Sequence, residues 1–196
     1  MNGLVDISRF AGVTSDSRAV VSGGLFVAVQ GAKSDGRDYI EQAIARGAAA
    51  VLTDLRPGAD AWRGRVEVLQ DPDPRRRLAE LAAAYYRFRP ATAALVTGSS
   101  GKTSTVEFAR QIWTTLGRPA ASVGTLGVIA PEAAHYGGLT SPDPVALMAT
   151  LTGLAAADVG AVAIEASSHG LDQRRLDGVG AEIGVFTSFS RDHLDY

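Results

Sequence analysis

With 196 residues, 46% of them hydrophobic and 20% charged, the chain can build one large domain or two small ones. Nineteen basic residues against twenty-one acidic ones leave a formal charge of −2, which gives no electrostatic case for a nucleic-acid or acidic-membrane partner. The lack of cysteine excludes a disulfide scaffold, a thiolate metal site and cysteine catalysis, and no stretch approaches the roughly 20 apolar residues of a membrane span.

In chain order, Leu25-Phe26-Val27-Ala28-Val29 reads as a strand, and Asp38 to Arg46 as a short helix ended by Gly47. Ala48 to Leu52 reads as a second strand, stopped by Thr53 to Gly58, and Val66 to Leu69 as a third. Asp71-Pro72-Asp73-Pro74 supplies caps and prolines for a helix from about Pro74 to Phe88. Leu78, Leu81, Tyr85 and Phe88 share one face of it, while Arg75-Arg76-Arg77 is expected on a solvated one. Arg89-Pro90 is the expected linker, because proline disfavours continuing the helix. The domains are therefore placed at residues 1–89 and 90–196.

The second part opens on Ala91 to Val96, an apolar run that reads as a buried parallel strand, followed by a helix containing Val106 to Trp113. Ala120 to Leu126 is a strand or loop. Asp143 to Ala157 is a helix with Val145, Met148, Leu151 and Leu154 facing inward. Ala161 to Ile164 and Ile183 to Phe186 are two more buried strands. This alternation predicts an α/β fold with parallel sheets covered by helices. Such sheets bind ligands at the carboxyl ends of their strands, where three polar clusters fall: Gly98 to Ser104, Glu165 to His169, and Thr187 to His193. Trp62 and Trp113 are read as packing residues, and His135 has no nameable partner.

The segment Gly98-Ser99-Ser100-Gly101-Lys102-Thr103-Ser104 carries the clearest chemistry. A Gly-rich turn between a strand and a helix, closed by Lys-Thr, wraps backbone N–H groups around nucleotide phosphates. Lys102 would reach the β- and γ-phosphates and the Thr103 hydroxyl would ligate Mg²⁺. The common pattern wants glycine at position 96, where this chain has Val96. Glu165 emerges at the same edge and could complete the Mg²⁺ ligation with Thr103, or be a strand-end acid in a salt bridge. Ser167-Ser168-His169 lacks the G-x-S-x-G elbow of a serine hydrolase. His193 could be a metal ligand, a phosphate contact or structural.

These residues resemble the Mur ligase family, and within it the MurE-type UDP-N-acetylmuramoyl-dipeptide:amino-acid ligases of peptidoglycan synthesis. Asp16-Ser17-Arg18, Gly24 to Gly31 and Asp35 to Ile40 resemble the UDP-binding N-terminal domain, in a form shared with MurF-type members. Thr97 to Ser104 resembles the T-G-T-x-G-K-[ST] loop. Thr140-Ser141-Pro142-Asp143, Glu165 to Leu171, Gln173 with Arg175, and Ser190 to Tyr196 resemble the MurE type. The resemblance implies a small N-terminal α/β UDP-binding domain followed by a truncated parallel-sheet P-loop ATPase domain.

It also implies roles. Ser17 would contact the uridine end of the substrate, and Thr140, Ser141, Ser167, Gln173 and Arg175 would grip the UDP-muramoyl dipeptide. Gly98 to Ser104 would hold ATP, with Lys102, Thr103 and Glu165 around its Mg²⁺ and His193 on a second ion. The family reaction phosphorylates the D-glutamate γ-carboxyl to an acyl phosphate, which the amine of an incoming amino acid attacks. Whether that is diaminopimelate or lysine is left open. The family's other known partners are small molecules, so neither nucleic acid nor membrane is expected, the full-length enzyme is expected to be a monomer, and without a visible signal peptide the cytoplasm is the expected compartment.

The chain departs from the pattern at Thr187-Ser188-Phe189, where Thr-Asn-Leu is usual, and at Ser141, where a second threonine is. It ends at Tyr196, ahead of the lysine carbamate, the rest of the ATPase sheet and the C-terminal domain that the family carries. The expectation is a catalytically silent front half, with an open three- or four-stranded sheet, an exposed edge and marginal stability. A MurF-type or folylpolyglutamate-type ligase, a P-loop small-molecule kinase and a non-catalytic nucleotide-binding module are the competing readings.

Overall fold

The apolar runs bounded by glycine, proline and aspartate become short strands, and the periodic segments between them become helices. The computed structural model of the chain describes residues 5–31, 34–131, 133–135 and 140–190. They fall into two units, Met1–Tyr85 and Tyr86–Tyr196.

In the first unit the order is β1 (Val13–Thr14), β2 (Leu25–Val27), α1 (Ile40–Ala45), β3 (Ala50–Thr53), β4 (Glu67–Gln70) and α2 (Pro74–Tyr85). The strands pair in sequence order and all run parallel. β2 and β3 are buried at every residue, as inner strands of a covered parallel sheet should be. Phe26, Ile40 and Val51 form a core on which Trp62 packs. The segment expected as one helix from Asp38 starts as a 3₁₀ turn, Gly36–Tyr39, because Asp35 accepts the Arg37 N–H (3.0 Å) and opens it early.

Two expectations about α2 are corrected. It ends at Tyr85, whose hydroxyl donates to Ala11 O (2.8 Å), and Phe88 lies beyond it, 72% exposed rather than on the face of Leu78 and Leu81. Nor is Arg77 solvated: its side chain pairs with the buried Asp71 (3.5 Å) and with Glu80 (3.1 Å), since a buried carboxylate needs a cation. The helix start is as read, with Asp73 accepting the Arg76 N–H (3.1 Å) ahead of Pro74.

The second unit contains β5 (Thr92–Thr97), α3 (Lys102–Thr115), β6 (Ala120–Gly124), β7 (Gly127–Ala130), β8 (Ala133–His135), α4 (Pro144–Ala156), β9 (Ala161–Glu165), α5 (Ser168–Asp172) and β10 (Ile183–Phe186). Among the described residues its sheet has six strands in the order β10-β5-β9-β6-β7-β8, not the three or four expected. The first four of these run parallel. The extra strands form an antiparallel meander that turns back at Gly124-Thr125-Leu126-Gly127, a stretch read from sequence only as strand or loop.

β10, expected as a buried strand, is instead an edge of the sheet among the described residues, with Ile183 and Phe186 exposed. On α3, Val106 packs with Val96 and Ala163, and Trp113 lies against them. Phe108 (62%) and Ile112 (58%) face solvent, so the apolar content of this helix overstated its buried face. In α4, Asp143 accepts the Val145 and Ala146 N–H groups, and Leu147 is buried where Val145 is only half-buried. No helix among the described residues is long and apolar enough to cross a membrane.

The packing predicts a contrast within the second unit. In a Trp62→Phe background, Trp113 fluorescence reports that unit alone. Leu151→Ala, which empties a fully buried site, should lower stability by about 2–5 kcal/mol in urea titrations. Phe108→Ala should stay within about 0.5 kcal/mol; equal losses would contradict the assigned faces.

Candidate functional site

Parallel pairing brings the carboxyl ends of β5, β9, β6 and β10 to one edge of the second sheet, with Glu165 beside Val96 and Phe186 beside Thr97. The loops that follow these strands enclose a cavity of about 510 Å³. Gly98 to Thr103 form one wall, and Thr125, Thr140, Glu165 and Ser167 form another.

The loop from Gly98 to Gly101 joins β5 directly to α3, so the unpaired N–H groups and partial positive charge of the helix start face the cavity. Gly98 has φ 132° and sits so close to Thr187 that any Cβ would overlap its hydroxyl. The segment after β10 braces the loop. Thr187 Oγ1 lies 2.6 Å from Ser100 O, Ser188 O accepts the Ser99 N–H (2.9 Å), and Ser188 Oγ accepts the Ser100 N–H (3.1 Å). The serine that departs from the family pattern thus still reaches the loop. Lys102 Nζ donates to Gly98 O (2.6 Å) and Ser99 O (3.3 Å) at the cavity wall. Ser104 is exposed on α3 and does not line the cavity.

Glu165 is only 1% exposed. Its Oε2 accepts from Thr103 Oγ1 (3.1 Å) and Thr125 Oγ1 (3.2 Å), and its Oε1 from the Thr125 N–H (2.8 Å). A Cβ at Gly124 would overlap this carboxylate, so glycine is required for the approach. Among the described residues no Lys, Arg or His forms an ion pair with Glu165. A buried carboxylate held by donors without a cationic partner suits a metal ion. Octahedral oxygen ligands about 2.1 Å from Mg²⁺ stand roughly 3 Å apart; Thr103 Oγ1 and Glu165 Oε2 have that spacing. No cluster of three His, Cys, Asp or Glu occurs among the described residues.

Behind this wall runs a second polar chain. Ser141, 1% exposed, has its Oγ 3.0 Å from Glu165 O and 3.1 Å from Ser167 Oγ. Arg175 donates to Ser141 O (2.7 Å) and Gln173 Oε1 (2.7 Å). Thr140 and Ser167 therefore line the cavity, while Ser141, Gln173 and Arg175 stand behind them. His193 lies outside the described residues. Thr125 and Gly124 went unread in the sequence, since a threonine in a two-residue turn carries no motif; the flanking glycines were the available signal.

In the first unit, Ser17 is buried and its hydroxyl donates to Gln42 Oε1 (2.6 Å). It starts a 3₁₀ turn capped by Asp16, whose carboxylate accepts from the Arg18 N–H (2.9 Å) and side chain (2.8 Å). The Arg18 side-chain hydrogen bond, and then the backbone one, holds the Asp16 carboxyl below its usual range.

Compared with known proteins, residues 9–86 match the Mur ligase family, catalytic domain, and residues 96–196 the Mur ligase middle domain. The chain is 51% identical over 188 residues to the UDP-N-acetylmuramoyl-L-alanyl-D-glutamate–2,6-diaminopimelate ligase of Rhizobium meliloti (strain 1021), covering 96% of the chain and 38% of the relative. It is 52% identical over 189 residues, with the same coverage, to the protein of that name from Chelativorans sp. (strain BNC1). A solved structure of a ligase of that name superposes with a TM-score of 0.82 at 31% identity, over 94% of this chain and 37% of that one. The MurF ligase of Thermotoga maritima in complex with ADP shares the fold at 21% identity and a TM-score of 0.58, over 94% and 39%. The chain thus spans 38% of the length of these curated relatives.

The Asp16 geometry predicts a pH dependence. Because the folded pKa lies below that of the unfolded chain, about 3.9, the contribution is full above that value and is lost as pH falls through the lowered folded one. NMR titration of the carboxyl carbon should give a midpoint below 3.8, moving up in Arg18→Ala. An unchanged midpoint in the variant would rule out Arg18 as the cause.

Proposed function

The chain belongs to the Mur ligase family, and we propose that it serves an ATP-dependent ligase joining 2,6-diaminopimelate to UDP-N-acetylmuramoyl-L-alanyl-D-glutamate. The activity is proposed for a protein of the relatives' length that carries this chain. The names of the relatives at 51% and 52% identity support diaminopimelate over lysine. The observation that carries the reading is the pairing of Thr103 with the buried Glu165 at the rim of a phosphate loop.

In this reading the first unit, residues 1–85, holds the UDP end of the substrate, with Ser17 as a contact, and the second, residues 86–196, opens the ATP-binding domain; the boundary falls four residues ahead of the expected linker. The backbone N–H groups from Gly101 onward, at the start of α3, bind the phosphates, and Lys102 turns from the Gly98 and Ser99 carbonyls to the β- and γ-phosphates. Thr103 and Glu165 would hold Mg²⁺, which when bound offsets the negative charge of the phosphates. Thr140 and Ser167 line the same cavity and would orient the acceptor carboxylate toward the γ-phosphorus. That carboxylate attacks, ADP leaves, and the resulting acyl phosphate is attacked by the amine with loss of phosphate. Two anions must be brought together for this. A helix start, a lysine and a metal-binding pair converging on one cavity meet that requirement.

Calorimetric titration with UDP-N-acetylmuramoyl-L-Ala-D-Glu tests the reading, with UDP-N-acetylglucosamine as control. Saturable binding that prefers the dipeptide form is expected, weakened about tenfold by Arg175→Ala, which removes the charge-assisted hydrogen bonds that hold Ser141 and Gln173 behind the cavity wall. Binding of both ligands alike, or of neither by folded protein, would contradict it.

A further inference from the structure

We propose that Thr125 is a positioning residue that aims the Glu165 carboxylate at a divalent cation. The proposal rests on the reading of Thr103 and Glu165 as the cation-binding pair. Thr125 sits in the turn between β6 and β7, after the glycine whose missing side chain lets that turn close onto Glu165. Three donors divide the carboxylate between them. Oε1 takes the Thr125 N–H (2.8 Å), a bond that any residue except proline would supply. Oε2 takes two hydroxyls, from Thr103 (3.1 Å) and Thr125 (3.2 Å).

Thr103 and Glu165 would hold the cation, and the carboxylate lone pair that the Thr103 hydroxyl now uses would then go to it, opening that hydrogen bond. Thr125 is then what keeps the carboxylate from turning away. Its hydroxyl also lies 3.1 Å from Thr140 Oγ1. Having one proton and two lone pairs, it can donate to Glu165 while accepting from Thr140, so one side chain touches both the carboxylate and the acceptor side of the cavity.

ATP titrations of the whole chain in Mg²⁺ and in EDTA test this, with Thr125→Val, which keeps the shape and the N–H, and Thr125→Ser, which keeps the hydroxyl. Melting temperatures confirm that each variant is folded. Wild type should bind ATP more tightly in Mg²⁺ than in EDTA. The valine variant should lose about tenfold in Mg²⁺, the loss of one hydrogen bond to a charged group, and nothing in EDTA. The serine variant should stay within about threefold of wild type. A valine variant equal to wild type in Mg²⁺, one weakened equally in EDTA, or a serine variant as weak as valine would overturn the role of Thr125. A wild type indifferent to Mg²⁺ would instead overturn the cation reading of Glu165, and this inference with it.

Discussion

A carboxylate that is 1% exposed, with no basic side chain paired to it among the described residues, is the constraint around which the second unit is arranged. Removing such a charge from water costs several kcal/mol even after relaxation, unless donors or a cation replace the water. Each neighbour of Glu165 answers that need. Gly124 leaves the space, Thr125 gives a backbone and a hydroxyl donor, and Thr103 gives another from the first turn of α3. The register that sets Val96 beside Glu165 decides that the phosphate loop starts at the same height as the carboxylate. Without the parallel pairing of β5 and β9, the acid and the loop would be at opposite edges.

The same constraint explains why the site is preformed. The loop from Gly98 to Gly101 is held from outside by Thr187 and Ser188, from the segment after β10, and the cavity wall is held from behind by Ser141, Ser167 and Arg175. Hydroxyls dominate these contacts. They can donate to a carboxylate or turn to accept from an N–H without changing charge. On the proposed function, a site that admits a polyanion gains from a lining that reorients rather than one of fixed cations.

What the sequence revealed follows from what a sequence encodes. The loop Gly98 to Thr103 was legible because strand, glycine turn and Lys-Thr are contiguous, and Glu165 because it ends an apolar run. Two of the three long helices, α2 and α4, are marked by Asp73-Pro74 and Asp143-Pro144, caps whose chemistry is local. Illegible were features that depend on distant partners. The two-residue strand β1 exists because β2 pairs with it, and the meander after Gly124 has no strong alternation. Thr125 matters through Glu165, forty positions on. Burial of Leu147 rather than Val145, and exposure of Phe108 and Ile112, depend on what each helix packs against, which periodicity alone does not fix. In the first unit Ser17 was legible by resemblance, but its partner Gln42 was not, since the two meet only when α1 folds beside the turn.

The central claim is that Thr103 and Glu165 jointly hold the cation of a bound nucleotide. The most direct measurement is the anomalous scattering of Mn²⁺ in crystals of the chain grown with a non-hydrolysable ATP analogue. The account predicts one peak about 2.1 Å from both Thr103 Oγ1 and a Glu165 carboxylate oxygen, with the phosphates in the Gly98–Thr103 loop. Phosphates in the loop with manganese remote from Glu165, and the Thr103–Glu165 hydrogen bond intact, would contradict it.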